Sequence, residues 1–416
     1  MSDLAGTTPL PTFDRDNEAF RDDPYPVYAA MRRTGSGLHR DPRTGTFITA
    51  THAHCLALLR DPRLSSNPVH LDPEIAAAQA AEGGFDSART TTDSVLLFMD
   101  PPDHTRIRRL ASMAFTPRAV QRLKADVERI AATLLDDAGV GPGSGPFDVV
   151  DVLARPLPLY VICQLFAIPD IDREQFFRWS DALAQVLGPV TDPAVADRSI
   201  VAFVEFSEYF FGLAEERRAH LGDDLLSALL EAEEAGDRLS TDELLALFTL
   251  LFIAGHETTG NLIGNGALAL LRRPDQVALL RDDPAAITPA IDELLRFDSP
   301  VQLTARIAKE PIMVEGTGVT IPRGHELICF LGGANHDEAE FGPTSEELDV
   351  RRDARNHLSF GGGVHYCLGA SLARLEGAVA FTELLRRCPD LELVTQHPVR
   401  RDHTILRGLE ELVISS

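Results

Sequence analysis

Cys367 carries the strongest chemistry in this chain. The segment around it reads His357, Leu358, Ser359, Phe360, Gly361, Gly362, Gly363, Val364, His365, Tyr366, Cys367, Leu368, Gly369. Consecutive glycines allow backbone positions that a side chain forbids, and they let the main chain approach a flat object closely. A helix is predicted over 368–387, which puts Cys367 at its start. Unpaired N–H groups and the helix dipole there favour a thiolate over a thiol. Gly369 leaves room beside the sulfur. Two other readings compete on this segment alone. One is a glycine turn with a buried, inert cysteine; the other is a zinc site from His357, His365 and Cys367, although paired cysteine spacing is absent.

A second constellation is Ala254, Gly255, His256, Glu257, Thr258 and Thr259. Thr258 lies four residues after Ala254, so in a helix its hydroxyl reaches the Ala254 carbonyl and locally opens the helix. Gly255 removes bulk on the neighbouring face. An acid beside a hydroxyl in an apolar wall suits proton delivery; a polar break in a packed helix is the plainer reading. Glu293 and Arg296 are spaced for a side-chain pair on one helix face. Asp103, His104, Thr105, Arg106, Ile107, Arg108 and Arg109 gather cations ahead of a helix, and the planar fork of arginine suits carboxylates. Taken singly, each arginine reads equally as a solvated surface residue.

The elements that must position these groups are mostly helical. Ser240 and Glu243 form a capping-box pattern before an apolar stretch that runs to about Leu271. A helix that long and apolar is buried over much of its length. Thr288 and Pro289 open a short helix over 289–297. Further helices are expected at 28–33, from Pro117 to Leu134, and at 153–166, 171–187, 197–219 and 222–234. Strands are expected near 312–314, 319–321 and 327–330. Residues 66–98 show little periodicity and read as a long loop.

Composition narrows the class. The 416 residues carry 39 Lys plus Arg against 63 Asp plus Glu, a net charge of -24. That balance argues against a nucleic-acid binder, which needs positive surface. The five scattered cysteines form no disulfide framework. The N-terminus has no basic-then-apolar leader, and no stretch nears the roughly 20 apolar residues of a membrane span. The expectation is a single domain over 1–416, mainly α with a minor β region, cytoplasmic and free of membrane.

The cysteine segment resembles the haem-binding signature of the cytochrome P450 family, Phe-Gly-x-Gly-x-His/Arg-x-Cys-x-Gly. It matches at Phe360, Gly361, Gly363, His365, Cys367 and Gly369. Residues 254–258 resemble the family's oxygen-activation motif, and Glu293 with Arg296 its Glu-x-x-Arg motif. The resemblance runs from Asp23-Pro24-Tyr25-Pro26 to Leu406-Arg407-Gly408 and is closest to the bacterial type. It implies the cytochrome P450 fold, a helix-rich triangular prism, with haem b ligated axially by Cys367. It also implies a monooxygenase that inserts one oxygen atom of O2 into a small organic substrate. The thiolate pushes electron density onto the iron and promotes O–O cleavage.

Residue roles follow from the same resemblance. Thr258 helps protonate dioxygen, Glu257 supplies the proton route, and Ala254 and Gly255 lie beside the cofactor; His256 occupies a variable position without a role. The haem propionates fall to His104, Arg108, Arg306 and His365, while Phe360, Gly361 and Gly369 surround the thiolate ligand. Arg106 and Arg109 are expected to face solvent or a neighbouring acid. Glu293 and Arg296 are structural. Many members add a third base to that pair, and the best register here puts Glu347 in its place, with Arg351 or Arg352 as substitutes.

Electrons would come from NAD(P)H through separate proteins, by family habit a ferredoxin and its reductase, docking near Arg108, Arg109 and Arg374. Family substrate contacts map to Leu96, Leu97, Phe98, Leu183, Leu187, Leu247, Leu250, Val301, Leu303 and Thr404. This mostly apolar wall points to a terpenoid, macrolide or polyketide-like ligand, although plain core would look the same. Two alternatives are a haem-thiolate isomerase or dehydratase that needs no reductant, and a haem-binding sensor or carrier without turnover. The intact Glu257–Thr258 pair disfavours the first.

Overall fold

The computed structural model of the chain describes residues 18–81, 95–169, 172–184, 193–231, 233–234, 237–403 and 405–416. Helices dominate, with small sheets, as the periodicity predicts. The elements that matter for function are α1 (Asp103–Ala114), α2 (Pro156–Leu165), α3 (Arg173–Ala184), α4 (Pro193–Ala219), α5 (Thr241–Leu271), α6 (Ile287–Phe297) and α7 (Ala370–Arg387). The main strands are β1 (Leu38–Arg40), β2 (Phe47–Thr49), β3 (Leu64–Ser65), β4 (Leu303–Ala308) and β5 (Glu326–Phe330). The chain forms two compact units. The first comprises Met1–Asp86, Gly264–Cys367 and Leu393–Leu412; the second comprises Ser87–Ile263, Leu368–Glu392 and Val413–Ser416.

The first unit holds a five-stranded sheet in the order β1-β2-β5-β4-β3. Only the β2–β5 pairing is parallel. Strand β4 was not expected from the sequence, yet it is paired on both sides. Leu303, Ala305 and Ile307 alternate with Thr304 and Arg306, a period-2 signal that the charge obscures. Phe20, Tyr28, Met31, Ile328 and Phe330 form one apolar cluster of this unit, and Phe47, Leu59, Leu327 and Leu331 belong to another.

Beside this apolar core lies a buried ionic centre. Glu293 and Arg296 are both fully buried. Arg296 Nε donates to Glu293 Oε2 at 2.6 Å and Nη2 donates to Oε1 at 2.9 Å. Its other bonds go to main-chain carbonyls of Asn335 (2.8 Å), Ser345 (2.7 Å) and Glu347 (3.0 Å). All five guanidinium N–H groups are thereby used. The third base is Arg352, whose Nε donates to Glu293 Oε1 at 3.4 Å. Arg352 also caps the Phe341 and Thr344 carbonyls at 2.7 and 2.8 Å. The register that placed Glu347 there is therefore wrong: Glu347 joins through its backbone oxygen, and its exposed side chain takes no part.

Asp298 forms a second buried charge centre. It accepts from Tyr25 Oη at 2.8 Å, Arg407 Nε at 2.7 Å and Arg400 Nη2 at 2.9 Å. Burial opposes its charge, yet Arg407 and Arg400 hold the carboxyl well below the usual carboxylate range. Arg407 also donates to the carbonyls of Arg21 and Asp22, at 2.6 and 2.8 Å.

The second unit packs α3 and α4 against α5 through aromatic rings. Phe206 stacks on Phe248 with centroids 5.1 Å apart, and Phe176 meets Phe252 edge-on at 5.2 Å. The capping box forms as expected: Ser240 N donates to Glu243 at 2.8 Å, and Glu243 N to Ser240 Oγ at 3.2 Å. Arg106 pairs with Glu243, the neighbouring acid it was expected to find. The stretch after Pro117 is two helices rather than one, Pro117–Arg122 and Lys124–Asp137. Helix α6 starts at Ile287 without a side-chain cap, so Thr288 lies inside its first turn.

Removing Arg296 strands a buried carboxylate and three carbonyls. We expect Arg296→Ala to cost about 3–5 kcal/mol, and Arg352→Ala about 1–3 kcal/mol through its lost carbonyl bonds. Glu347→Gln should stay within about 0.5 kcal/mol, as exposed substitutions do. Urea unfolding of the haem-loaded protein measures all three.

Candidate active site

The cysteine loop hangs from the C-terminal end of α6. The Leu295 carbonyl accepts from Ser359 Oγ at 2.7 Å and from Ser299 Oγ at 2.9 Å. Asn335 Nδ2 donates to both hydroxyls at 2.8 Å, and its Oδ1 accepts from Leu358 N at 2.6 Å. The carbonyl of the same Asn335 is held by Arg296. One buried amide thus joins the ionic centre to the loop. His357 has Nε2 at 3.1 Å from Asp292 Oδ1, while Nδ1 accepts from Ser359 N at 3.1 Å. Both ring nitrogens are committed, which removes His357 from the zinc reading. Among the described residues no group of three or more His, Cys, Asp or Glu could hold a metal ion. Asn335, Ser299, Ser359 and Asp292 were missed in the sequence, because hydrogen bonds between distant segments leave no spacing signal.

Within the loop, Gly361 and Gly363 have φ of 70° and 65°. A Cβ on Gly363 would collide with the Leu59 carbonyl oxygen, so the close approach it permits is to the chain's own backbone. Cys367 N donates to the Phe360 carbonyl at 2.9 Å and closes the loop. Helix α7 begins at Ala370 behind Gly369, so Cys367 precedes the helix cap by two residues, where a helix starting at 368 would put it at the cap itself. Of the five cysteines, four are buried and Cys367 alone is partly accessible. A Cβ on Gly369 would meet nothing within 4 Å. An accessible sulfur with open space beside it fits a large planar ligand better than an inert core thiol.

On α5, Thr258 Oγ1 donates to the Ala254 carbonyl at 2.7 Å, the bond that their spacing predicts. Glu257, next to it, is buried. Gly255 differs from expectation. A Cβ there would lie 3.0 Å from Ile162 Cδ1 of α2, so the gap attributed to it is filled by protein. Gly255 thus allows α5 to pack closely against α2. Gly260 repeats the pattern one turn on, 2.8 Å from the Ala154 carbonyl oxygen.

His104 is buried on α1, and Arg108, four residues later, is partly exposed. Arg306 is largely buried on β4, where Nη1 donates to Thr304 Oγ1 at 3.0 Å and to the Ala305 carbonyl at 2.7 Å. His365 is partly exposed in the cysteine loop. Among the apolar positions, Leu96, Leu183 and Leu247 belong to the second unit's buried cluster, with Leu250 packed against it. Phe98 is partly buried, and Leu97 is 41% exposed. Leu303 is core, grouped with Phe20 and Tyr28, and Val301 packs against the other cluster of the first unit. Leu187 and Thr404 lie outside the described residues.

The left-handed backbone and the Leu59 contact make Gly363 hard to replace. We expect Gly363→Ala to cost at least about 1–3 kcal/mol from conformation alone. It should also lower haem retention on a desalting column, whereas Gly362→Ala, in ordinary extended backbone, should retain haem better.

Comparison with known proteins agrees with this geometry. The Cytochrome P450 family model matches residues 56–284 and 285–409. The chain is 40% identical to "Vitamin D(3) 25-hydroxylase" of Pseudonocardia autotrophica, covering 98% of each chain. It is 39% identical to "6-deoxyerythronolide B hydroxylase" of Saccharopolyspora erythraea, over 96% of this chain and 98% of that one. The solved structure of the Bacillus subtilis polyketide-synthase cytochrome P450 PksS superposes with a TM-score of 0.86 at 36% identity, covering 97% of this chain and 99% of that one. Members of this family bind haem b and use redox partners, O2 and small-molecule substrates. The chain belongs to the cytochrome P450 family, the haem monooxygenases.

Proposed function

We propose that the Cys367 thiolate would hold the haem iron of this monooxygenase and that Glu257 with Thr258 form its proton-delivery pair. The observation that carries the second assignment is the Thr258–Ala254 hydrogen bond, 2.7 Å, beside a buried acid. When bound, haem b supplies the redox chemistry that activates dioxygen and cleaves the O–O bond. The Thr258 hydroxyl, satisfied as a donor by Ala254, keeps acceptor capacity and can place a water for proton transfer. Glu257 passes protons to that water. His104, Arg108, Arg306 and His365 would hold the propionates, the arginines by charge-assisted bonds. Phe360 and Gly361 would shape the thiolate surroundings with Gly369, and Ala254 and Gly255 would contact the cofactor.

The substrate is small and mostly apolar, and we infer a macrolide, polyketide-like or terpenoid compound. Hydroxylases named for vitamin D(3) and 6-deoxyerythronolide B stand among the relatives. Electrons reach the protein from NAD(P)H through a ferredoxin and its reductase, by docking at Arg108, Arg109 and Arg374. That local positive charge suits an acidic partner on a chain of net charge -24. No described helix is long and apolar enough to cross a membrane.

Two experiments test the assignments. Reduced protein exposed to carbon monoxide should show the red-shifted absorption band of a thiolate-ligated haem, and Cys367→Ser should lose it. An unchanged band in the variant removes Cys367 as ligand. For Thr258, the measurement is a ratio: product formed and hydrogen peroxide released, each per NAD(P)H consumed. A positioned proton-transfer group contributes ~10²–10⁴-fold, so Thr258→Ala should lower the product share sharply and raise the peroxide share. NAD(P)H use should fall less than product. Equal ratios in the two proteins would take Thr258 off the catalytic set.

A further inference from the structure

A small cavity of the first unit lies between the N-terminal segment and the residues from Arg400 to Gly408. Its volume is about 30 Å³, the room of roughly two or three water molecules. Arg21, Arg400, Arg401, His403 and Arg407 line it, and no acidic side chain among the described residues does. On a chain of net charge -24 that lining stands out. At the rim Arg21 pairs with Asp402, whose side chain is 85% exposed, so this partner is held weakly.

Arg400 is the group that asks for a ligand. Its side chain is only 9% exposed, yet two of its five N–H groups have protein partners. Nη1 donates to Asn265 Oδ1 at 2.6 Å and Nη2 to Asp298 Oδ2 at 2.9 Å. The Nε–H and the second hydrogen of each Nη are left over. Arg296, buried in the same unit, matches all five. A guanidinium shut from water with donors unmatched is costly, and an anion is what matches them best. The charges agree with the hydrogen bonds. Burial lowers the Arg400 pKa more than Asp298 raises it, with Arg407 adding to the loss. At Arg407, Asp298 and Tyr25 outweigh burial and the pKa is raised. Of the two arginines on Asp298, Arg400 is the one short of negative charge.

We propose that this cavity is a binding site for one phosphate-class oxyanion, held by the open donors of Arg400 together with Arg21 and Arg401. The guanidiniums come from two chain segments and converge on one small space. A tetrahedral, doubly charged ion meets such a set better than a planar monoanion, which takes a single fork. Bound there, the anion ties the N-terminal segment to a stretch that is itself fastened to the strand region behind it. Leu406 forms a β-bridge with Val301, Gln302 N donates to the Ile405 carbonyl at 2.8 Å, and Arg407 N to the Pro300 carbonyl at 2.7 Å. The site thus braces residues 300–302 from the side of the N-terminal segment, independently of the haem.

The test is calorimetric titration of haem-loaded protein at fixed ionic strength, with inorganic phosphate and glycerol phosphate as probes and acetate as the planar comparison. Two or three charge-assisted bonds support saturable binding of one phosphate, with Kd on the order of 1 mM. Arg400→Lys keeps a charge for Asp298 but loses the fork, and should bind phosphate about 10-fold more weakly. Asp402→Asn releases Arg21 at the exposed rim and should bind it about 2- to 5-fold more tightly, a direction that damage to the fold cannot produce. Arg355→Gln, at an exposed arginine paired with Asp353, should leave binding unchanged. Amide hydrogen exchange over 405–409 should slow when phosphate is bound. Tighter binding of the inorganic ion marks free phosphate as the occupant, and tighter binding of glycerol phosphate marks an ester; both outcomes support the site. Should Arg400→Lys fail to take up haem, the Asp402→Asn comparison decides, and unchanged or weaker binding there overturns the proposal. No saturation at about 20 times the expected Kd, acetate bound as tightly as phosphate, or an equal loss in Arg400→Lys and Arg355→Gln would also overturn it, water then being what meets the open donors of Arg400.

Discussion

A guanidinium sealed from water must find a partner for every N–H, and Arg296 has five. An unpaired buried polar group costs more than a made hydrogen bond returns. The partners come from Glu293, Asn335, Ser345 and Glu347, so satisfying one side chain fixes α6 against the irregular stretch from 335 to 349. Asn335 then passes that constraint to the cysteine loop through Leu358, Ser299 and Ser359. The sulfur of Cys367 is placed by a charge with which it shares no bond. Buried ion pairs of this kind are weak as sources of stability, and the number of partners here points to fixing one geometry.

In the second unit, positioning relies on close packing. Helix α5 is set by close backbone approach at Gly255 and Gly260 and by the rings of Phe248 and Phe252. The absent side chains serve as spacers. Each brings α5 against α2 or the residues just before it, at a distance no other amino acid permits without displacement. Thr258 and Glu257 therefore ride on a helix whose rotation is set by packing.

Much of this was legible where the signal is local. The Thr258–Ala254 bond, the capping box at Ser240 and the mainly helical architecture follow from spacing within a turn or two. What escaped depends on long-range register. The third base was placed first at Glu347, with Arg352 only as a substitute, because Ser345, Glu346, Glu347, Leu348 and Asp349 offer no periodicity by which to count. Asn335 could not be found at all, since its partners lie 23 to 39 residues away in sequence. At Gly255 the missing Cβ shows in the sequence, but the neighbour that fills the space, Ile162, does not. The start of α7 slipped because Tyr366 adopts an extended backbone after the turn at Gly363–His365, and nothing in its side chain announces that.

The Asp298 centre has a consequence for how the molecule is made. Its partners, Tyr25, Arg400 and Arg407, come from nearly opposite ends of the chain. During synthesis the N-terminal segment leaves the ribosome long before Arg407 exists, and at roughly 5–20 residues per second the wait is on the order of 20 seconds or more. Until Arg400 and Arg407 have been made, the Asp298 centre lacks its guanidinium partners and stays incomplete. The uninterrupted stretch 87–263 of the second unit has its aromatic cluster complete by Phe252 and has no such delay. Nascent chains should therefore present a partly folded middle flanked by an open N-terminal part. That is the state in which chaperones would meet this protein.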